Sequence, residues 1–128
     1  MVAENKDDEK ITVDILGSEW LIIYKKEDPA FEEANGYCVD VDRTIIVQKV
    51  CAENKDTGEN NLAFNEYQKH LNLKRVLRHE ILHAYLMESG LNDSSLPTDS
   101  WATNEEMVDW FARQSPKIFK TYKELKLI

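Results

Sequence analysis

His79-Glu80-Ile81-Leu82-His83 decides how this chain is read. Residues four apart on a helix stand one above the other on the same face. If the pentad is helical, both imidazoles can hold one Zn²⁺, at about 2.0–2.1 Å each. Glu80 then lies roughly 100° around the helix from His79, beside the ligands rather than between them. A carboxylate there can take a proton from a zinc-activated water, which is the chemistry of the H-E-x-x-H pattern. A shuffled chain of this composition produces the pattern in just under about one case in a hundred.

The flanking residues predict the helix. Leu73, Val76, Leu77, Ile81, Ala84 and Tyr85 recur at spacings of three and four, which is helical periodicity. The start is expected near Asn65, with Gln68 as its capping-box partner. The stop is expected at Gly90, a typical residue just past a helix end. The bland alternative is two surface histidines on an amphipathic helix. His70 falls on roughly the opposite side of the helix from His79 and is a poor candidate for the same metal.

Composition narrows the classes. With 128 residues the chain suits one domain with a single core. Hydrophobic content is 42% and charged content 31%, as in globular proteins. No stretch approaches the roughly 18 apolar residues of a membrane span, and no secretory signal pattern opens the chain. A cytoplasmic location and no membrane partner are the expectations. The net charge of −8 argues against nucleic-acid binding, because phosphate contacts need a basic patch. The basic spots Lys25-Lys26 and Lys74-Arg75 with Arg78 read as solvated faces. Cys38 and Cys51 fit no zinc-finger or redox spacing and read as free thiols of a reducing compartment.

Residues 1–10 are acidic and poor in apolar side chains, so a solvated, frayed terminus is expected, with one domain over 11–128. Four β-prone runs follow: Ile11 to Leu16, Trp20 to Tyr24, Tyr37 to Val41 and Thr44 to Val50. Gly17-Ser18 and Asn35-Gly36 read as turns, and Asp42-Arg43 as a tight hairpin connection. Asp56 to Asn61 reads as a polar turn before the long helix. Leu91 to Ala102 reads as a long connection. Thr103 then reads as an N-cap with Glu106 at the capping-box position. Ser115-Pro116 reads as a break, with Ser115 capping a last helix.

Two histidines do not complete a catalytic zinc site, which takes three protein ligands and a water. The histidine-rich class needs Gly at position 86 and His at position 89; this chain has Leu86 and Ser89. The third ligand is then expected to be a carboxylate on a later helix, Glu105 or Glu106. Glu106 has a sufficient role as partner of the Thr103 cap, which favours Glu105 and keeps Glu106 as the alternative. Asp109 lies four residues after Glu105 on the same face. From there it can orient a metal-bound imidazole. Three acids that merely complement a helix N-terminus are the competing reading.

Leu77-Arg78-His79-Glu80-Ile81-Leu82-His83, followed by Glu105-Glu106-Met107-Val108-Asp109-Trp110-Phe111-Ala112, resembles a known group. It is similar to the small zincin-type metallopeptidases of phages and prophages related to the ImmA/IrrE group. Those are gluzincins, with an H-E-x-x-H helix and a glutamate from a following helix. The resemblance is strong over residues 75–112. It is looser over Ile11 to Val50, where Gly36-Tyr37-Cys38 and Ile45-Ile46-Val47 fit a hairpin before the active-site helix. The group usually carries Asn where this chain has Asp109, so its repressor substrate is not carried over.

The resemblance implies an α+β, zincin-like fold. In it, a small twisted antiparallel-rich sheet packs on the active-site helix, and C-terminal helices close the cleft. It also implies a zinc peptidase acting on a peptide or protein, in a bacterial host cytosol if phage-encoded. Glu80 would be its general base and His79, His83 and Glu105 its metal ligands. The sequence does not identify the oxyanion donor; Tyr24 and Tyr37 are candidates, each better read as a strand residue at the core edge. A zincin-shaped protein that binds metal or a partner without turnover is the alternative of a different class.

Overall fold

The computed structural model describes residues 8–49, 65–92 and 100–128. Four strands precede two long helices: β1 (Glu9–Ile15), β2 (Ser18–Lys25), β3 (Gly36–Val39), β4 (Thr44–Gln48), α1 (Glu66–Glu88) and α2 (Glu105–Glu124). Short 3-10 turns lie at Pro29–Glu32 and Trp101–Thr103. The class is α+β. Among the described residues, no helix is long and apolar enough to cross a membrane.

The strands form one sheet in the order β1-β2-β4-β3. β1 pairs antiparallel with β2, and β3 with β4, but β2 and β4 run parallel. The sheet is therefore mixed but antiparallel-rich, as expected, with two of its three strand pairs antiparallel. Hairpin-like runs imply two antiparallel pairs, and nothing local dictates which strand of the second pair lies beside β2. β4 takes that central place because it can be buried on both faces: Ile45, Ile46 and Val47 are all 0% exposed. A continuous β-branched run is what a two-sided strand requires.

The turns depart from their expected positions. Leu16 and Gly17 both have positive φ, 52° and 89°, as a primed hairpin turn demands. Leu16 therefore leaves the strand, and Asp14 Oδ1 accepts from the Gly17 amide at 3.1 Å. Between β3 and β4 the connection is four residues, Asp40 to Arg43, rather than Asp42-Arg43 alone. Arg43 takes the left-handed conformation at φ 47°. Val41 sits in this turn, almost fully exposed, instead of in the strand. Asn35-Gly36 is not a separate turn, because Gly36 opens β3. β1 begins at Glu9, two residues before the expected strand. Cys51, the Asp56 to Asn61 turn and most of the Leu91 to Ala102 connection lie outside the described residues.

α1 covers one face of the sheet. Trp20, Ile22, Ile45 and Val47 meet Val76 and Ala84, with Leu73, Leu77, Ile81 and Met87 packed around them. The other face carries Ile23 and Ile46 under Phe31 of the first 3-10 turn. Gly36 lets β3 approach α1 closely. A Cβ there would lie 2.9 Å from the Ile46 carbonyl oxygen and 3.1 Å from Val76 Cγ1.

α1 begins as the sequence predicts. Asn65 accepts from the Gln68 amide at 2.8 Å, and the Gln68 side chain accepts from the Asn65 amide at 3.0 Å. α2 does not. Its cap is Asn104, whose Oδ1 accepts from the Met107 amide at 2.8 Å. Thr103 belongs to the preceding 3-10 turn, where its hydroxyl donates to the Ser100 carbonyl. Ser115-Pro116 is likewise no break, since α2 runs through it. A proline at 116 removes the N–H that would bond the Ala112 carbonyl. Arg78 Nε donates to that carbonyl at 2.6 Å instead, so no backbone acceptor is stranded. One long C-terminal helix replaces the expected pair.

Candidate metal centre

α1 and α2 run antiparallel, so the first turn of α2 meets the second half of α1. The i, i+4 spacing stacks His79 and His83, and their Nε2 atoms are 3.1 Å apart. Asn104 starts α2 at a point where its first helical residue, Glu105, faces both rings. Glu105 Oε2 lies 3.0 Å from His79 Nε2 and 3.2 Å from His83 Nε2.

These three atoms converge on one point. Ligand atoms about 2.05 Å from a tetrahedral ion stand about 3.3 Å apart, close to the 3.0–3.2 Å here. The donor set, two imidazoles and a carboxylate, is also that of a catalytic zinc site. His79, His83 and Glu105 therefore fit a zinc ion. Among the described residues, no fourth His, Cys, Asp or Glu joins the group. Glu106 lines the same cavity and stays outside the group. His70 is exposed on the other side of α1.

Asp109 stands one turn beyond Glu105, with Oδ1 3.3 Å from His79 Nδ1. A proton on Nδ1 donated there leaves the Nε2 lone pair directed at the ligand group. The same Oδ1 accepts from Arg75 Nη1 at 3.1 Å, and Oδ2 accepts from Arg113 Nε at 2.7 Å. Burial would raise Asp109, but Arg113, Arg75 and His79 together hold it below its ordinary value. Hydrogen bonds from His79 and then His83 hold Glu105 far below the usual carboxylate range. For His79, burial acts downward and Glu105, Glu80 and Asp109 outweigh it, so its pKa is raised.

Glu80 lines the cavity beside the ligand group and is 7% exposed. Burial raises its pKa, against the opposing pull of His79 and His83. Cys38 on β3 is its neighbour, with Sγ 3.3 Å from Oε2 and 3.1 Å from the Glu80 carbonyl oxygen. A cavity of about 700 Å³ opens over these groups, walled by β3 and its approach on one side and by α1 and the start of α2 on the other.

Both tyrosines take the strand positions at the core edge that the sequence favours. Tyr37 pairs with Ile46 in the ladder, so its side chain lies on the sheet face away from α1. Its hydroxyl donates to Asp28 Oδ2 at 2.8 Å. Burial and Asp28 push its pKa up to about 12. Tyr24 packs against the core under α1 and is not part of the cavity wall. Neither tyrosine is placed as an oxyanion donor.

The basic spots are not all solvated. Lys25 is buried and paired with Asp28 at 3.3 Å. Arg75 is buried against Asn72 and Asp109. Arg75 and Cys38, expected as part of a solvated face and as a free thiol, both stand at this site. Arg75 stands four residues before His79, and that spacing alone places it on the ligand face. Cys38 carried no local signal, because its nearness to Glu80 depends on how β3 docks. Comparison of the chain with protein families, with curated proteins and with solved structures finds no match.

Proposed function

We propose that this chain is a zinc-dependent peptidase of gluzincin type with a zincin-like fold. The observation that carries the reading is the convergence of His79 Nε2, His83 Nε2 and Glu105 Oε2, with no fourth side-chain ligand among the described residues. A structural zinc site is closed by four protein ligands, whereas a catalytic one keeps a position open. The buried carboxylate of Glu80 beside the group adds to this, because a purely structural site needs no base.

Bound zinc supplies an acidified water, with a pKa near about 7, and a polarised carbonyl. Glu80 takes the proton from the attacking water and delivers it to the leaving amine. His79 is held in register by Asp109. Among the described strands β3 lies at the edge of the sheet, and Gly36, Tyr37 and Cys38 line the cavity. An extended peptide adds to that edge as a further strand.

The test is metal content followed by turnover. Protein purified without added metal, or titrated with Zn²⁺, is expected to hold one equivalent. Glu80→Gln is expected to keep the metal and lose hydrolysis, since the amide keeps the shape without the base. Less than about a tenth of an equivalent with no uptake overturns the metal assignment. Full zinc with no hydrolysis of any peptide leaves a metal-binding protein without turnover.

A further inference from the structure

Among the described residues, Cys38 is the side chain outside the metal group that bonds Glu80. It pairs with Ile45, whose side chain lies in the core beneath α1, so Cys38 faces α1 as well. Its Sγ stands 3.1 Å from the Glu80 carbonyl oxygen and 3.3 Å from Glu80 Oε2. A thiol has one hydrogen and donates to one of them at a time. The carbonyl lies inside α1, where it already accepts from the helix ladder. The carboxylate oxygen has no other hydrogen-bond donor among the described residues, and an ionised acceptor draws the stronger bond.

We propose that Cys38 is a positioning residue for Glu80: its S–H holds Oε2 and leaves Oε1 as the oxygen that receives the proton. Oε1 accepts no hydrogen bond among the described residues. A thiol suits this role for a physical reason. A lysine or arginine in its place would depress the carboxylate strongly and weaken the base. A neutral, weak donor orients the carboxylate and takes little of its basicity. Burial and the neighbouring Glu80 keep the thiol protonated, so it stays a donor. The contact stands on geometry alone; its consequence for turnover rests on the peptidase reading.

Infrared spectroscopy of the zinc-loaded full chain tests the contact without any substrate. The S–H stretching band of Cys38 is identified by its loss in Cys38→Ala. It is expected at lower frequency than a free thiol and to shift in Glu80→Gln, where a carboxylate is replaced by a weaker acceptor. A band indifferent to Glu80→Gln means that the thiol bonds the helix carbonyl, and overturns the proposal.

Turnover of a library of quenched fluorescent peptides gives the second readout. Cys38→Ala is expected to lower kcat by about 10- to 100-fold with KM little changed, as misplacement of a catalytic group does. Cys38→Ser, which keeps a donor, is expected to recover most of it. Unimpaired Cys38→Ala, or equal loss in both variants, also overturns the positioning role. Absence of hydrolysis by the wild type sinks the peptidase reading, and the band then decides the contact alone.

Discussion

Asp109 joins three partners that belong to two helices. One oxygen serves His79 and Arg75, and the other serves Arg113. Removing such a carboxylate costs metal affinity without removing a ligand. Asp109→Ala is therefore expected to weaken zinc binding by about 10- to 100-fold, and Glu106→Ala to leave it unchanged. Competition against a zinc chelator measures both; equal affinities for wild type and Asp109→Ala would falsify the orienting role. The choice between Glu105 and Glu106 also shows how far local reasoning reached. It assigned Glu106 to a Thr103 cap, and that cap is one residue off. Glu105 is nonetheless the acid that meets the histidines, because Asn104 starts α2 with its first helical residue turned toward α1. The periodic spacing of Glu105 and Asp109 was legible. The reason for preferring Glu105 was not the one that operates.

Helix α1 was readable from end to end, since its signals are its own periodicity, the Asn65–Gln68 box and Gly90. Helix α2 was misread at both ends for one physical reason: the deciding contacts are not local. Proline ordinarily breaks a helix partly because it strands the carbonyl four residues back. Here Arg78 of α1 bonds that carbonyl, and the helix continues. At the start, the Thr103–Glu106 spacing imitates a capping box, whereas Asn104 is the residue that caps α2. Asn104→Ala is expected to cost about 1 kcal/mol of stability, the usual worth of an N-cap. Thr103→Ala, which loses a hydroxyl bond inside a short 3-10 turn and no helix cap, is expected to cost less than that. Urea unfolding of the two variants ranks them, and the reverse order would restore Thr103 as the cap. The same loss at Asn104 is expected to weaken zinc binding, because Glu105 rides on that first turn.

The fold as a whole is tied together at Glu88, the last residue of α1. Its carboxylate accepts from Trp20 Nε1 on β2 at 2.9 Å and from Arg43 Nε in the β3–β4 turn at 2.6 Å. These bonds, Arg43 first, depress its pKa from 4.5 to about 2. A carboxylate with a lowered folded pKa contributes stability above its unfolded value and loses it as pH falls through the folded one. The contribution is thus complete above about 4.5 and fades toward about 2. Thermal unfolding followed over that range is expected to show a steeper fall in midpoint for the wild type than for Glu88→Gln. Parallel curves for the two proteins would mean that the link does not hold the helix end to the sheet.

What the chain determined by itself are the features set by neighbours within a turn or a strand pair. These are the α1 helix and its cap, two imidazoles on one face, four β-prone runs and an acid pair at the start of a second helix. Such features follow from backbone periodicity and short-range hydrogen bonds, which residue order specifies directly. The tertiary structure decided what depends on packing between distant segments. β4 rather than β3 lies beside β2, because its apolar run can be buried on both faces. Arg78 carries α2 through Pro116. Cys38 reaches Glu80 from 42 residues away, because Gly36 has no side chain to keep β3 off α1.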